Sequence, residues 1–296
     1  MKILLDGYTM MHEHMMIDLS GVKQDLDCRL DCMDEIIDEL KQLYCFGVRN
    51  IVEVSNRGMA RDISIIQQIE QETGIRIIKS TGWYKEPFLP QEVYDCSVEE
   101  LAQIMEKELT EGIDDTNETA HVIGEIGTSL HVWEEAERKV FDAAILAAKK
   151  INCPITTHTT LGTLAYEQAS YLIENKIDPN KIIIGHIDLC KDLSMIKKVL
   201  ELGVNVAFDT VGKNNYFPDA KRVEFLLELE KCNLISQVVM SVDITRKSHL
   251  RNRGGIGYTY LFDTFIPMLI EAGMKEESIE LMMKLNPARI FGDDHA

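Results

Sequence analysis

Short apolar runs recur along the chain and alternate with longer amphipathic stretches. The runs fall at 8–15, 48–54, 76–81, 121–126, 154–158, 181–186, 204–209 and 237–243. Most are rich in β-branched residues, and each has the length of a strand. Between them, 32–46 carries Met33, Ile36, Ile37, Leu40 and Leu43 at helical spacing, and 134–150 and 223–234 repeat that pattern. Gly47, Gly74 and Gly203 follow helical stretches, where a left-handed cap ends a helix. Strands alternating with helices predict a parallel sheet. Eight such units in 296 residues predict an α/β fold, a single-domain (β/α)8 TIM barrel, which typically takes about 250 residues. A doubly wound open sheet is the alternative. No linker or repeat divides the chain, so 1–292 is expected to be one domain and the acidic tail 293–296 disordered.

Active sites of such barrels sit at the C-terminal ends of the strands. His12 and His14 lie two apart in the first run, so in a regular strand both imidazoles point to one side. Glu125, His158, His186 and Asp243 end the fourth, fifth, sixth and eighth runs. Imidazole and carboxylate are ligands for divalent transition metals. The expected centre holds two ions, one on His12, His14 and Asp243 and one on His158 and His186, with Glu125 bridging. Ions about 3.5–4 Å apart would share a water acidified enough to supply hydroxide near neutral pH. Zinc is the first choice, with manganese, cobalt or nickel as alternatives. A lone histidine of this kind is more often a satisfied core residue; six suitable residues in one plausible order outweigh that. His121, His131 and His295 stay with the ordinary reading. Met10, Met11, Met15 and Met16 read as strand and wall residues.

Composition narrows the rest. A net charge of −18 repels phosphate backbones and anionic lipid, which argues against nucleic acid and membrane partners. No apolar stretch reaches the length of a membrane span. Seven scattered cysteines read as reduced thiols of a cytoplasmic protein. A homodimer is the base-rate expectation. Against so acidic a background, basic residues after the strands stand out: Arg57, Arg61, Lys213, Arg246 and Lys247. Arg61 and Lys247 read as scaffold, paired with acidic neighbours. Lys213 and Arg246 are expected to contact a small-molecule substrate, with His249 one helical turn past Arg246 and Tyr84 after the third strand.

The same residues carry a resemblance. The His12-Glu13-His14 triplet, Gly-Glu-Ile-Gly-Thr at 124–128, His158, His186 and Asp243 are similar to the binuclear centre of the phosphotriesterase family in the amidohydrolase superfamily. Gly-Met-Ala-Arg-Asp at 58–62, Asp-Thr-Val-Gly-Lys-Asn at 209–214, Asp-Ile-Thr-Arg at 243–246 and Gly-Gly-Ile-Gly-Tyr at 254–258 resemble its phosphotriesterase homology branch. The likeness runs from Gly7 to Asn286-Pro287-Ala288-Arg289. It implies a hydrolase in which hydroxide attacks a carbonyl or phosphorus centre and Asp243 takes the proton. Two departures matter. Many members bridge the ions with a carboxylated lysine, where Glu125 stands here. The acyl-homoserine lactonases of the family carry an arginine after the strand-seven aspartate, where Thr210 stands here. The resemblance therefore implies a lactonase or esterase on a small anionic substrate, with a sugar-phosphate lactone fitting an arginine three residues past Asp243. Phosphotriester hydrolysis would be a weak side activity. Two other readings compete: a TatD-type metal-dependent deoxyribonuclease, which shares the histidine pair and the Gly-Glu-Ile-Gly strand, and a metal-binding protein without catalysis.

Overall fold

A computed structural model describes residues 2–292. The expected tail at 293–296 lies outside the described residues. Eight strands form one sheet in chain order, every neighbouring pair parallel. They are β1 (Tyr8–Glu13), β2 (Val48–Glu53), β3 (Arg76–Thr81), β4 (Val122–Thr128), β5 (Ile155–Thr159), β6 (Ile182–Ile184), β7 (Asn205–Phe208) and β8 (Val238–Met240). Helices cross between them: α1 (Met33–Cys45), α2 (Ile63–Thr73), α3 (Val98–Thr110), α4 (Glu135–Ile151), α5 (Ala165–Glu174), α6 (Leu193–Leu200) and α7 (Asp219–Lys231). After β8 the chain continues through Leu261–Phe265 into Ile266–Glu271. The fold is the (β/α)8 barrel.

Local chemistry explains the helices. In α1 the buried face is Ile36, Ile37, Leu40 and Leu43, and each such side chain contributes about 1.5–3 kcal/mol when withdrawn from water. The Asp62 carboxylate caps α2 by accepting from Ser64 N and Ile65 N, and Gly74 at φ +71° ends that helix. Ser97 and Glu100 close a reciprocal capping box on α3. The helix expected at 223–234 begins earlier, at Asp219, and ends at Lys231. Pro218 sets its start, and the apolar Leu234 belongs to the turn that follows.

Two packed layers surround the strands. One face packs against the helices in the larger core, for example Met10, Ile51, Ile77, Ile123 and Ile155. The other face fills the barrel with Met11, Val52, Ile78, Val122, Ile183, Ala207 and Val239, and Leu4, Ile290 and Phe291 plug its N-terminal end. Among the described residues no backbone ladder joins β8 to β1. A buried carboxylate spans that seam. Glu13 Oε1 accepts from Val242 N at 2.8 Å, Asp243 N at 3.1 Å and Ser241 Oγ at 2.7 Å, and Glu13 Oε2 accepts from Ile244 N at 3.0 Å.

Candidate metal centre

Two breaks in strand register aim the first ligand candidates. Met10 faces Ile51 while Glu13 faces Glu53, so β1 carries one residue more than β2 over that interval. Ile123 faces Ile155 while Ile126 faces Thr157, so β4 bulges in the same way around Glu125. A bulge turns a side chain that simple alternation would send elsewhere. His12 and His14 point to one side, toward Glu125 and Asp243, and the bulge just before Glu13 decides which side that is. Gly124 makes the second bulge possible. Its φ is +134°, and a Cβ there would lie 2.1 Å from Thr156 O. Strand ends also differ from expectation. Glu125 and His158 lie inside β4 and β5, whereas His186 and Asp243 stand beyond β6 and β8 with φ of +55° and +56°.

The six side chains converge. His12 Nε2 is 3.5 Å from Glu125 Oε2 and 3.7 Å from Asp243 Oδ1. His14 Nε2 is 3.5 Å from Glu125 Oε1 and 3.3 Å from Asp243 Oδ1. His158 Nδ1 and His186 Nε2 lie 3.1 and 3.6 Å from Glu125 Oε2. Glu125 thus offers one oxygen toward His14 and the other toward His12, His158 and His186. His12, His14 and Glu125 form one group able to hold an ion; Glu125, His158 and His186 form another. His12 Nε2 and His14 Nε2 are buried and make no hydrogen bond, which costs free energy unless something accepts their lone pairs. The donor set fits divalent cations.

Its electrostatics agree. Three buried carboxylates, Glu125, Asp209 and Asp243, face four imidazoles. Burial opposes the charged form of each group, yet Asp209 holds His186 well above the ordinary imidazole value. Against the same burial, Asp243 and Glu125 raise His14. Burial, and then the neighbouring His186, push His158 down to about 4. For Asp243, Lys213 and His14 outweigh burial and keep the carboxyl ionised well below the usual range. The site draws positive charge toward its carboxylates.

Residues that pattern reading did not single out orient the ligands. Asp209 accepts from His186 N at 3.0 Å, lies 2.8 Å from His186 Nδ1, and lies 3.3 Å from His12 Nδ1. Ser55 Oγ is 2.8 Å from His14 Nδ1, and Glu53 Oε1 is 4.0 Å away. The carboxylate of Glu53 in turn accepts from Ser55 N at 2.7 Å and from Met15 N. Such outer partners set which ring nitrogen is free to ligate. Asp209 had two sequence signals, its place at the end of the seventh run and the motif at 209–214. Glu53 and Ser55 had none.

A cavity of about 490 Å³ opens on the centre. Tyr84, Lys213, Arg246 and His249 all line it. The Tyr84 hydroxyl is 3.3 Å from His158 Nε2. Lys213 donates to Asp243 Oδ2. Arg246 pairs with Asp25 at 3.0 Å and Asp27 at 3.5 Å, so its charge is already matched. Arg57 and Arg61, unlike Lys213 and Arg246, do not line this cavity. Both turn away from this cavity into Glu92, Glu108 and Asp114, with Arg61 Nη2 3.0 Å from Glu108 Oε1. The scaffold roles of Arg61 and Lys247 agree with their partners, Lys247 lying 2.5 Å from Asp31. Thr210 shares Asp188 with the fully buried Arg222, which donates to Thr210 Oγ1 at 2.8 Å from α7.

Comparison with known proteins bears on this geometry. The profile of the Phosphotriesterase family matches residues 4–291. The Phosphotriesterase homology protein of Escherichia coli is 44% identical over 96% of this chain and 98% of its own. Its crystal structure, described as complexed with phosphate in the active site, superposes with a TM-score of 0.94. The Aryldialkylphosphatase of Saccharolobus solfataricus is 30% identical over 96% of this chain and 95% of its own. The Phospho-furanose lactonase of Mycoplasmopsis synoviae is 30% identical over 97% and 88%. The chain belongs to the phosphotriesterase family and is a hydrolase of that family.

Proposed function

We propose that the protein is a binuclear metal-dependent lactonase or esterase acting on a small anionic substrate. His12, His14 and Asp243 would hold one divalent ion and His158 and His186 the other, with Glu125 serving both. Such a pair of ions supplies an acidified water and polarises the oxygen of the scissile group. The observation that carries the reading is the meeting of two groups of ligand atoms on one carboxylate, Glu125, at the floor of a single cavity.

The chain's own residues divide the remaining work. Asp243 is held ionised, with Lys213 on one oxygen and His14 facing the other, so it can accept the proton of the attacking water and pass it outward. Tyr84, against His158, can donate its hydroxyl to a substrate oxygen above the centre. His249 completes the wall behind Arg246. The relatives named for lactone and phosphoester hydrolysis support a carbonyl or phosphoryl electrophile. The cavity's size favours a sugar-sized lactone, with phosphotriester hydrolysis as a weak side activity.

The test is a chelated protein reloaded in turn with zinc, manganese, cobalt and nickel, assayed on phosphorylated and free sugar lactones and on an aryl dialkyl phosphate. Hydrolysis that returns with metal is expected. Asp243→Asn should retain bound metal and lose about two orders of magnitude in kcat. Full turnover by Asp243→Asn with metal bound would remove its proton role, and no gain from any metal would remove the whole reading.

A further inference from the structure

The cations expected to grip an anionic substrate are already engaged. Lys213 faces Asp243, and Arg246 faces Asp25 and Asp27. The cavity has two further lysines in its lining. Lys23 comes from the short helix Ser20–Lys23, and Lys85 follows Tyr84 beyond β3. Their ammonium groups lie 5.8 and 5.6 Å from the centre of the Phe88 ring, which lines the cavity with them. Neither is ion-paired among the described residues. Lys85 Nζ donates only to Glu86 O, at 2.6 Å, and keeps two protons to give. Glu137, the carboxylate whose charge bears most on Lys85, is spent on Glu86 N, Ser129 N, Ser129 Oγ and Glu134 N.

Position adds to charge. The Cβ atoms of Lys85 and His158 flank Gly127, each within 3.3 Å of where a Cβ there would stand, and the Lys85 ammonium lies 5.6 Å from the Tyr84 ring, which packs on His158 at 4.8 Å. Lys85 and Lys23 line one cavity with Phe88. Between them Phe88 tilts against Tyr84 at 5.4 Å, an apolar plate on which the face of a sugar ring can rest. In a chain of net charge −18, two unneutralised ammoniums facing one cavity make a local positive field.

We propose that Lys85, backed by Lys23 across Phe88, is the oxyanion-binding subsite of the substrate cavity, taking the phosphate, sulfonate or carboxylate of a substrate whose scissile group sits over Glu125. This assignment rests on the lactonase or esterase reading of the cavity and moves its anion recognition from Arg246 to Lys85. Lysine suits it as a compact donor of several hydrogen bonds, and partial burial strengthens each of them.

Binding without turnover separates this subsite from the reaction. Ribose 5-phosphate and ribose are titrated calorimetrically into metal-loaded protein. The phosphorylated sugar should bind at least about tenfold tighter, a difference that shrinks as salt rises. Lys85→Met should abolish most of that preference, Lys23→Met part of it, and Lys85→Arg should restore it. Arg246→Met should leave the preference in place. Equal binding of the two sugars overturns the proposal. So does a preference that survives Lys85→Met, because the phosphate is then held by the ions or by Arg246. A Lys85-dependent preference in a protein that hydrolyses no lactone or ester would sink the lactonase or esterase reading and leave the subsite standing.

Discussion

Asp209 shows how one carboxylate can serve two ligands. It faces Nδ1 of both His12 and His186, leaving Nε2 of each toward the centre. Asp209→Asn keeps the shape but loses an acceptor, so one ring adopts the wrong tautomer. Metal affinity is expected to fall about 10–100-fold, read by competition with a chromophoric chelator. His249 gives a second test at this scale. Burial first, and then Lys213, push it down to about 4. Below the ordinary imidazole value the unfolded chain takes up a proton that folded His249 refuses. Stability from this group is therefore present above pH ~6.5 and lost as pH falls toward ~4. In metal-free protein, His249→Gln should show a smaller drop in Tm between those two pH values than the parent. An equal drop would place the acid sensitivity elsewhere.

Among the elements, the seam between β1 and β8 is the unusual one. Elsewhere the sheet is joined by backbone ladders, but here the Glu13 carboxylate takes three backbone N–H groups and a hydroxyl. Those donors come from Ser241, Val242, Asp243 and Ile244, the segment that carries Asp243 into the cavity. Glu13→Ala would leave them buried without acceptors. A loss of about 3 kcal/mol in unfolding free energy is expected by chemical denaturation, together with faster amide exchange confined to 241–244. Unchanged exchange there would mean that the seam is held by packing alone. Bulges do the equivalent work in β1 and β4, aiming His12 and Glu125 by one added residue each.

For the whole molecule, the centre is a point where charge and stability meet. Three carboxylates lie buried among four imidazoles, and such a cluster is costly until cations neutralise it. Removing metal should lower Tm, and restoring it should raise Tm in proportion to the logarithm of free ion concentration. A Tm indifferent to both steps would show that no ion is held at the centre. No helix among the described residues is long and apolar enough to cross a membrane. The lumen packing from Met11 to Val239, with Phe291, makes the barrel a solid platform whose cavity opens on the metal-ligand candidates. A rigid platform suits ligands that must be held to fractions of an ångström.

Local pattern was enough to set out the barrel. The spacing of apolar runs and the glycine stops act within a few residues, so α1, α4 and the eight strands are legible one segment at a time. The six residues of the centre were legible as well, because imidazole and carboxylate at the ends of apolar runs are rare enough to stand out. Tertiary structure alone decided how they are aimed. A bulge is a mismatch between two strands, and neither strand shows it by itself. The matching of charges is equally non-local. Arg246 finds Asp25 and Asp27, Arg61 finds Glu108, and Lys85 is left without a carboxylate because of folds in distant loops. Contacts between residues hundreds of positions apart, such as Glu13 with Ile244, depend on closure of the ring of strands, and no periodicity along the chain encodes them.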